Sequence, residues 1–322
     1  MTRITLERLQ VWIYLVAIVT GLMLGTAMGD AAEVFEAALW PLLGLLLFAT
    51  FTQVPLIHLR EAFRDRHFIG VALTGNFVLI PLVVWGLIWF LPDDPAIRLG
   101  VLLVLLVPCT DWFITFSHLA GGDTGRAIAI TPVNLLLQIA LLPVYLWLFM
   151  GQSFVEILAA GPIVTAFVTL ILIPLVAAWG LEWWSLCHPT GAVVIDRLAW
   201  APVPLLAIVV FVIAVSQVES VLSAIPVLGP VTGIFVAYLA AALLLGLALS
   251  RLFDLPDRSA RVLIFALGTR NSFVVLPLAL ALSSEWKVVA VVIVFQSLVE
   301  LFGVVVYLKV LPLVVPWALA RR

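Results

Sequence analysis

The chain alternates long apolar runs with short breaks rich in charge, proline or glycine. Runs of about 20 residues match a helix that crosses the ~30 Å hydrocarbon core of a bilayer. Ten such spans are predicted: Leu9–Gly29, Val34–Leu56, Phe68–Leu91, Ala96–Leu119, Gly125–Met150, Val155–Trp179, Ala199–Val218, Val227–Ser250, Arg261–Leu282 and Val288–Val315. The first is too long for the apolar region of a cleaved signal, about 7–15 residues, and reads as a spanning helix.

Composition agrees with the pattern. Of 322 residues, 65% are hydrophobic and 11% charged, where a soluble chain is about one-quarter charged. An all-α polytopic membrane protein follows, with the lipid bilayer as its solvent and a single transmembrane domain over 1–322. The net charge of −2 says nothing about partners, and no basic block suggests nucleic acid. Lys and Arg set the orientation, because they accumulate on the cytoplasmic side. With both termini cytoplasmic, thirteen of them (among them Arg3, Arg8, Arg60, Arg64, Arg126, Arg258, Arg321 and Arg322) fall inside and only Arg98 and Lys287 fall outside. Acidic residues such as Asp30, Glu33 and Glu156 collect in the external loops. The expected location is the cell membrane.

Five spans followed by five more place the halves in opposite orientations, as in carriers built from inverted repeats. Repeat one covers about 9–150 and repeat two about 155–316. Weak echoes join them: Thr52-Gln53-Val54 with Ser216-Gln217-Val218, Thr110-Asp111 with Thr269-Arg270, and the i, i+4 pairs Asn134/Gln138 and Gln296/Glu300. Residues four apart share one helix face. Span four is expected to break at Pro108, and spans four and nine are the candidates for the broken helices that cross near the midplane in such carriers.

Charges inside spans mark the candidate chemistry. A carboxylate at a bilayer centre costs about 2.5 kcal/mol or more, so Asp111 needs a partner. Arg270, the lone Arg or Lys well inside a span, is the obvious one. The pair reads either as a coupling element that takes a proton or as a clamp on the crossing. Glu300, one turn from Gln296, reads either as a proton carrier or substrate contact, or as a neutral acid bonded to Gln138 or Asn134. Cys109, beside the proline, reads as a small apolar residue or as an accessible thiol for a soft metalloid. Cys187 and His188, after Trp183 and Trp184, fit an interfacial belt better than a metal site. No phosphate loop or zinc-protease motif is present, so a carrier without metal or cofactor is expected rather than an enzyme; a receptor on a carrier fold is the remaining class.

Cys109 to Asp123, ending in His118-Leu119-Ala120-Gly121-Gly122-Asp123, resembles helix four of arsenite efflux carriers of the arsenical-resistance-3 type, within the bile acid:sodium symporter superfamily. Asn134-Leu135-Leu136-Leu137-Gln138 and Leu298-Val299-Glu300 continue the likeness. The resemblance implies arsenite or metalloid oxyanion efflux, with Cys109 as the As(III) ligand and Thr110, Asn134, Gln138, Asn271 and Gln296 lining the substrate path. It also implies an acid in helix nine, where this chain has Val274 after Asn271-Ser272-Phe273; Asp111 is then the displaced acid. Sodium-coupled relatives supply ion ligands at a stretch similar to Gly268–Ser272. Arg270 puts a fixed positive charge there, which favours protons as the coupling ion. Transport of small organic anions, with Arg270 binding a carboxylate, is the alternative.

Overall fold

The computed structural model describes residues 3–28, 33–58, 65–152, 154–155 and 162–315. Asp30, Arg60, Arg64, Glu156, Arg321 and Arg322, used above for orientation, lie outside the described residues. Within them every regular element is helical apart from one isolated backbone bridge. In chain order the helices are α1 (Arg3–Met28), α2 (Glu33–Phe51), α3 (Arg66–Phe90), α4 (Pro95–Leu105), α5 (Trp112–Leu119) and α6 (Thr124–Met150). They continue with α7 (Pro162–Cys187), α8 (Pro189–Leu198), α9 (Pro202–Ser216), α10 (Val218–Leu252), α11 (Asp257–Gly268), α12 (Ser272–Leu280) and α13 (Val288–Val314).

Six continuous helices, α2, α3, α6, α7, α10 and α13, are long and apolar enough to cross a membrane; α8 with α9, bent by 44°, makes a seventh candidate. Large apolar side chains such as Trp12, Met23, Trp89 and Leu313 are exposed on the outside. A water-soluble protein seldom displays such a surface, whereas lipid accepts it. The chain is a multi-pass membrane protein.

Several boundaries depart from the sequence reading. Span eight was expected to begin at Val227, but α10 starts at Val218 and passes through Pro226 and Pro230 without a break. Prolines are tolerated in membrane helices because neighbouring groups take up the freed carbonyls. Span six ends at Cys187 rather than Trp179, and the amphipathic α8 follows it before α9 begins. Spans four and nine are each split, into α4/α5 and α11/α12, as expected.

Packing divides the helices into two groups. α1 packs along α9, and α2 packs on both α9 and α7. Gly21 and Gly25 let α1 approach closely: a Cβ at Gly25 would come 2.4 Å from Val218 Cγ2 and 2.5 Å from the Val215 carbonyl oxygen. This is the small-xxx-small device of membrane helix pairs. The second group gathers α3, α4, α5, α6, α10, α11 and α13 around the breaks. α12 touches both groups, reaching α2 and α7 on one side and α4 and α13 on the other. Leu99–Thr110 and Ser259–Ser272 are buried without interruption, so the broken helices form the innermost layer.

One end of this inner group is tied by Arg126. Its guanidinium donates to Asp65 Oδ2 at 2.7 Å, Asp123 Oδ2 at 2.9 Å and Ser259 Oγ at 2.7 Å. Asp65 and Asp123 also cap the N-termini of α3 and α6, so one cation joins three helix starts. Arg261, expected at a loop edge, is instead buried and donates to the Ala120 and Val315 carbonyls, the C-terminal ends of α5 and α13.

Two predictions follow from this packing. A Cβ on Gly268 would lie 2.5 Å from Tyr307 Cε2, and Tyr307 is held by its hydroxyl bond to the Leu239 carbonyl. Gly268→Ala should therefore destabilise the purified protein by about 1–3 kcal/mol, the usual cost of overpacking, read as a lower thermal midpoint; an unchanged midpoint would contradict the packing. At Asp65, the Phe68 N–H above all, with help from Arg126, holds the carboxyl below its ordinary value against the opposing effect of burial. A carboxyl with a lowered folded pKa adds stability above its unfolded pKa and loses it as pH falls through the folded one. Asp65→Asn should lower the thermal midpoint at neutral pH, and the gap to wild type should shrink below about pH 4.

Candidate functional site

The breaks in the two helices meet. Pro108 and Arg270 form an antiparallel bridge, with the Cys109 N–H donating to the Thr269 carbonyl at 3.1 Å and the Asn271 N–H to the Val107 carbonyl at 2.8 Å. The sequence causes this local structure. Pro108 removes a donor from the helix, and the extended residues at the breaks leave backbone groups that must find partners away from water. Each chain supplies the other's partners. Beside the bridge, Asn271 Nδ2 donates to Thr110 Oγ1 at 2.8 Å, while Asn271 Oδ1 caps α12 by accepting from the Val274 N–H at 3.4 Å.

A polar chain extends from the crossing into α13. Ser272 Oγ donates to Gln296 Oε1 at 2.8 Å, and Gln296 Nε2 donates to Glu300 Oε2 at 2.7 Å. The same carboxylate oxygen accepts from the Arg270 backbone N–H at 2.9 Å. Glu300 is 1% exposed, and its other oxygen, Oε1, has no hydrogen bond with the described residues. The Trp112 indole N–H lies alongside this carboxyl without closing a bond of normal length. Trp112 meets Phe273 edge-to-face at 5.4 Å, so aromatic rings from α5 and α12 flank the crossing.

Arg270 points elsewhere than expected. Its guanidinium donates to Asn76 Oδ1 at 2.9 Å and to the carbonyls of Leu267 (2.6 Å), Ala266 (3.1 Å) and Leu105 (3.4 Å). Its Cζ stands 5.5 Å from the Tyr238 ring centre. The anticipated side-chain pair with Asp111 is thus replaced by capping of helix ends. The cause is positional: both helices stop at the crossing, and their last carbonyls are nearer needs for a cation. Asp111 instead occupies the N-cap position of α5 and is partly exposed.

The other candidate residues are also located. Cys109 is 3% exposed and packed in the apolar core, which fits the small apolar reading rather than the accessible thiol; its sulfur lies against the backbone N–H groups of Asp111 and Phe113. It lies within electrostatic reach of Glu300. Asn134 and Gln138 are buried in α6, and neither amide makes a hydrogen bond with the described residues. Glu300 therefore pairs with Gln296 and the Arg270 backbone rather than with Gln138 or Asn134. Cys187 is exposed at the end of α7, and Trp184 stacks on His188 at 5.7 Å, as a surface belt would.

Two participants, Asn76 and Tyr238, were missed in the sequence. Asn76 lies in a π-helical stretch of α3, Gly75–Leu79, where the widened turn carries its amide to Arg270. A lone Asn in an apolar run was the available signal. Tyr238 donates to the Leu267 carbonyl at 2.7 Å and carries no sequence signal beyond being polar within a span.

Two openings lie along the broken helices. An apolar crevice between the groups is lined by Tyr14, Leu206 and Val210 on one side and Ser272, Phe273 and Ser297 on the other. A wider cavity of about 650 Å³ lies at the end of α5, bounded by His118, Asp123, Arg126, Arg258 and Arg261.

Known proteins place this architecture. Residues 40–224 match the model of the Sodium Bile acid symporter family. "Arsenical-resistance protein Acr3" of Corynebacterium glutamicum is 30% identical over 148 residues, 43% of this chain and 40% of that protein. "Uncharacterized sodium-dependent transporter YocS" of Bacillus subtilis is 26% identical over 126 residues, 37% of this chain and 39% of that protein. The matched stretches thus span about two-fifths of these relatives. The family match covers more than half of this chain, so the protein whose broken helices cross at Pro108 and Arg270 belongs to the sodium bile acid symporter family of membrane transporters.

Proposed function

We propose that the chain is a secondary carrier that exports arsenite or a related metalloid oxyanion in exchange for protons. The observation that carries this reading is the placement of Cys109 at the crossing, paired through its backbone with Thr269 and next to the Thr110–Asn271 bond. As(III) is soft and favours sulfur. In binding, the Cys109 sulfur replaces one hydroxyl of As(OH)3, and the thiol proton leaves with that hydroxyl as water. Similarity to a protein named for arsenical resistance supports the cargo. Asn134 and Gln138, buried amides with unused donors and acceptors, are the assigned contacts for the remaining arsenic hydroxyls, with Thr110, Asn271 and Gln296.

On this reading ten helices cross the membrane as two inverted repeats, with both termini cytoplasmic. Support comes from the exchange of packing between halves: α1 of the first packs on α9 of the second, and α7 of the second packs on α2 of the first. The Gln53 and Gln217 echoes both follow helix C-termini, those of α2 and α9. Glu300 takes the proton-carrying role, because its Oε1 is unpaired in a buried site and its Oε2 touches the crossing backbone. Asp111, at the start of α5, is the second titratable group on the path. Organic-anion transport through Arg270 loses its anchor, since that guanidinium is turned toward carbonyls.

In everted vesicles from cells without their own exporter, the wild type should accumulate arsenite when a proton gradient is imposed. Cys109→Ser should reduce that uptake by about tenfold or more while leaving any organic-anion flux intact. Absence of arsenite uptake by the wild type would remove the metalloid reading. Glu300→Gln keeps an oxygen to accept from Gln296 and Arg270 but cannot titrate. It should abolish the response to the gradient while downhill arsenite flux persists; a retained pH response would reassign the proton.

A further inference from the structure

The Arg270 guanidinium is turned toward backbone and amide oxygens, and its surroundings say what it replaces. Leu105 is the last residue of α4, and Ala266 and Leu267 lie in the last turn of α11. Each helix C-terminus carries roughly half a negative charge. Two such ends and the Asn76 amide oxygen converge on one fully buried point, and no carboxylate is among the oxygens that the guanidinium contacts. Neutral oxygens gathered at interrupted helix ends are the ligand set of a small hard cation. The Tyr238 ring closes over the group, and its hydroxyl takes up the Leu267 carbonyl as well.

We propose that Arg270 is a resident cation: it fills an oxygen cage at the crossing that would otherwise hold a sodium ion, so this chain functions without sodium and loses that independence when Arg270 is removed. The family's name carries sodium, but the residues present do not fit the ion at this cage. A guanidinium already directs its N–H groups at every one of those oxygens, and a second cation beside it would meet unscreened repulsion in a low dielectric. Arginine also cannot release its charge by deprotonation. The cage is therefore neutralised through the whole transport cycle, whatever the cargo.

The test reads stability rather than transport, so it stands apart from the metalloid reading. Purified full-length wild type, Arg270→Lys, Arg270→Ala and Arg270→Gln would be melted in sodium, potassium and choline chloride at equal ionic strength. Wild type and Arg270→Lys should show one midpoint in all three salts. Arg270→Ala and Arg270→Gln should melt lower in potassium and choline and recover by about 3 °C or more in sodium. Adding Asn76→Ala to Arg270→Ala should diminish that recovery. Folded protein obtained only when sodium is present throughout purification would also support the cage. Equal midpoints of the neutral variants in all salts, their aggregation in every salt, or a sodium-specific rise in the wild type would each overturn it.

Discussion

Two helices that stop inside the buried core leave carbonyl ends with no water to meet them, and the centre of this protein is arranged around that constraint. An unsatisfied backbone group in hydrocarbon costs several kcal/mol. The bridge between Pro108 and Arg270 pairs the backbones of the breaks, and the Arg270 side chain gathers the carbonyls of Leu105, Ala266 and Leu267. Arg261 does the same at the end of the bundle for the carbonyls of Ala120 and Val315. Arginine suits both places because its planar fork reaches several acceptors at once.

The breaks also make the chemistry available. An unbroken helix would keep its backbone groups paired within itself. The interruption instead brings Cys109, Thr110, Asn271 and the Ser272–Gln296–Glu300 chain to one layer of the protein. α12 reaches the α2/α7/α9 group from this layer, and the crevice between Tyr14 and Ser272 runs beside it. The proposed carrier would load its cargo where the two groups face each other.

The hydrophobic runs made the membrane class, the helices and the split spans legible, because length and apolarity are local properties and Pro108 announces its own break. Boundaries failed where proline was read as a stop: α10 passes Pro226 and Pro230 since its neighbours absorb the cost. The position of the crossing was readable from Asp111 and Arg270 as charges inside spans, but their partners were not. Charge arithmetic pairs an acid with a base, whereas folding set Arg270 against neutral carbonyls and Asn76. Glu300 was singled out for its depth in a span, yet its actual contacts, the Arg270 N–H and Gln296, depend on tertiary placement.

The contact between Thr110 and Asn271 gives the most direct measure of the crossing itself. With Cys109 and Cys187 replaced by serine, Thr110→Cys and Asn271→Cys would be introduced together and oxidised in native membranes. Mass spectrometry should find one intramolecular disulfide joining peptides from the two broken helices, and the cross-link should be absent when either cysteine is introduced alone. If both thiols react with a small alkylating reagent and yet never join, the two breaks do not meet as described.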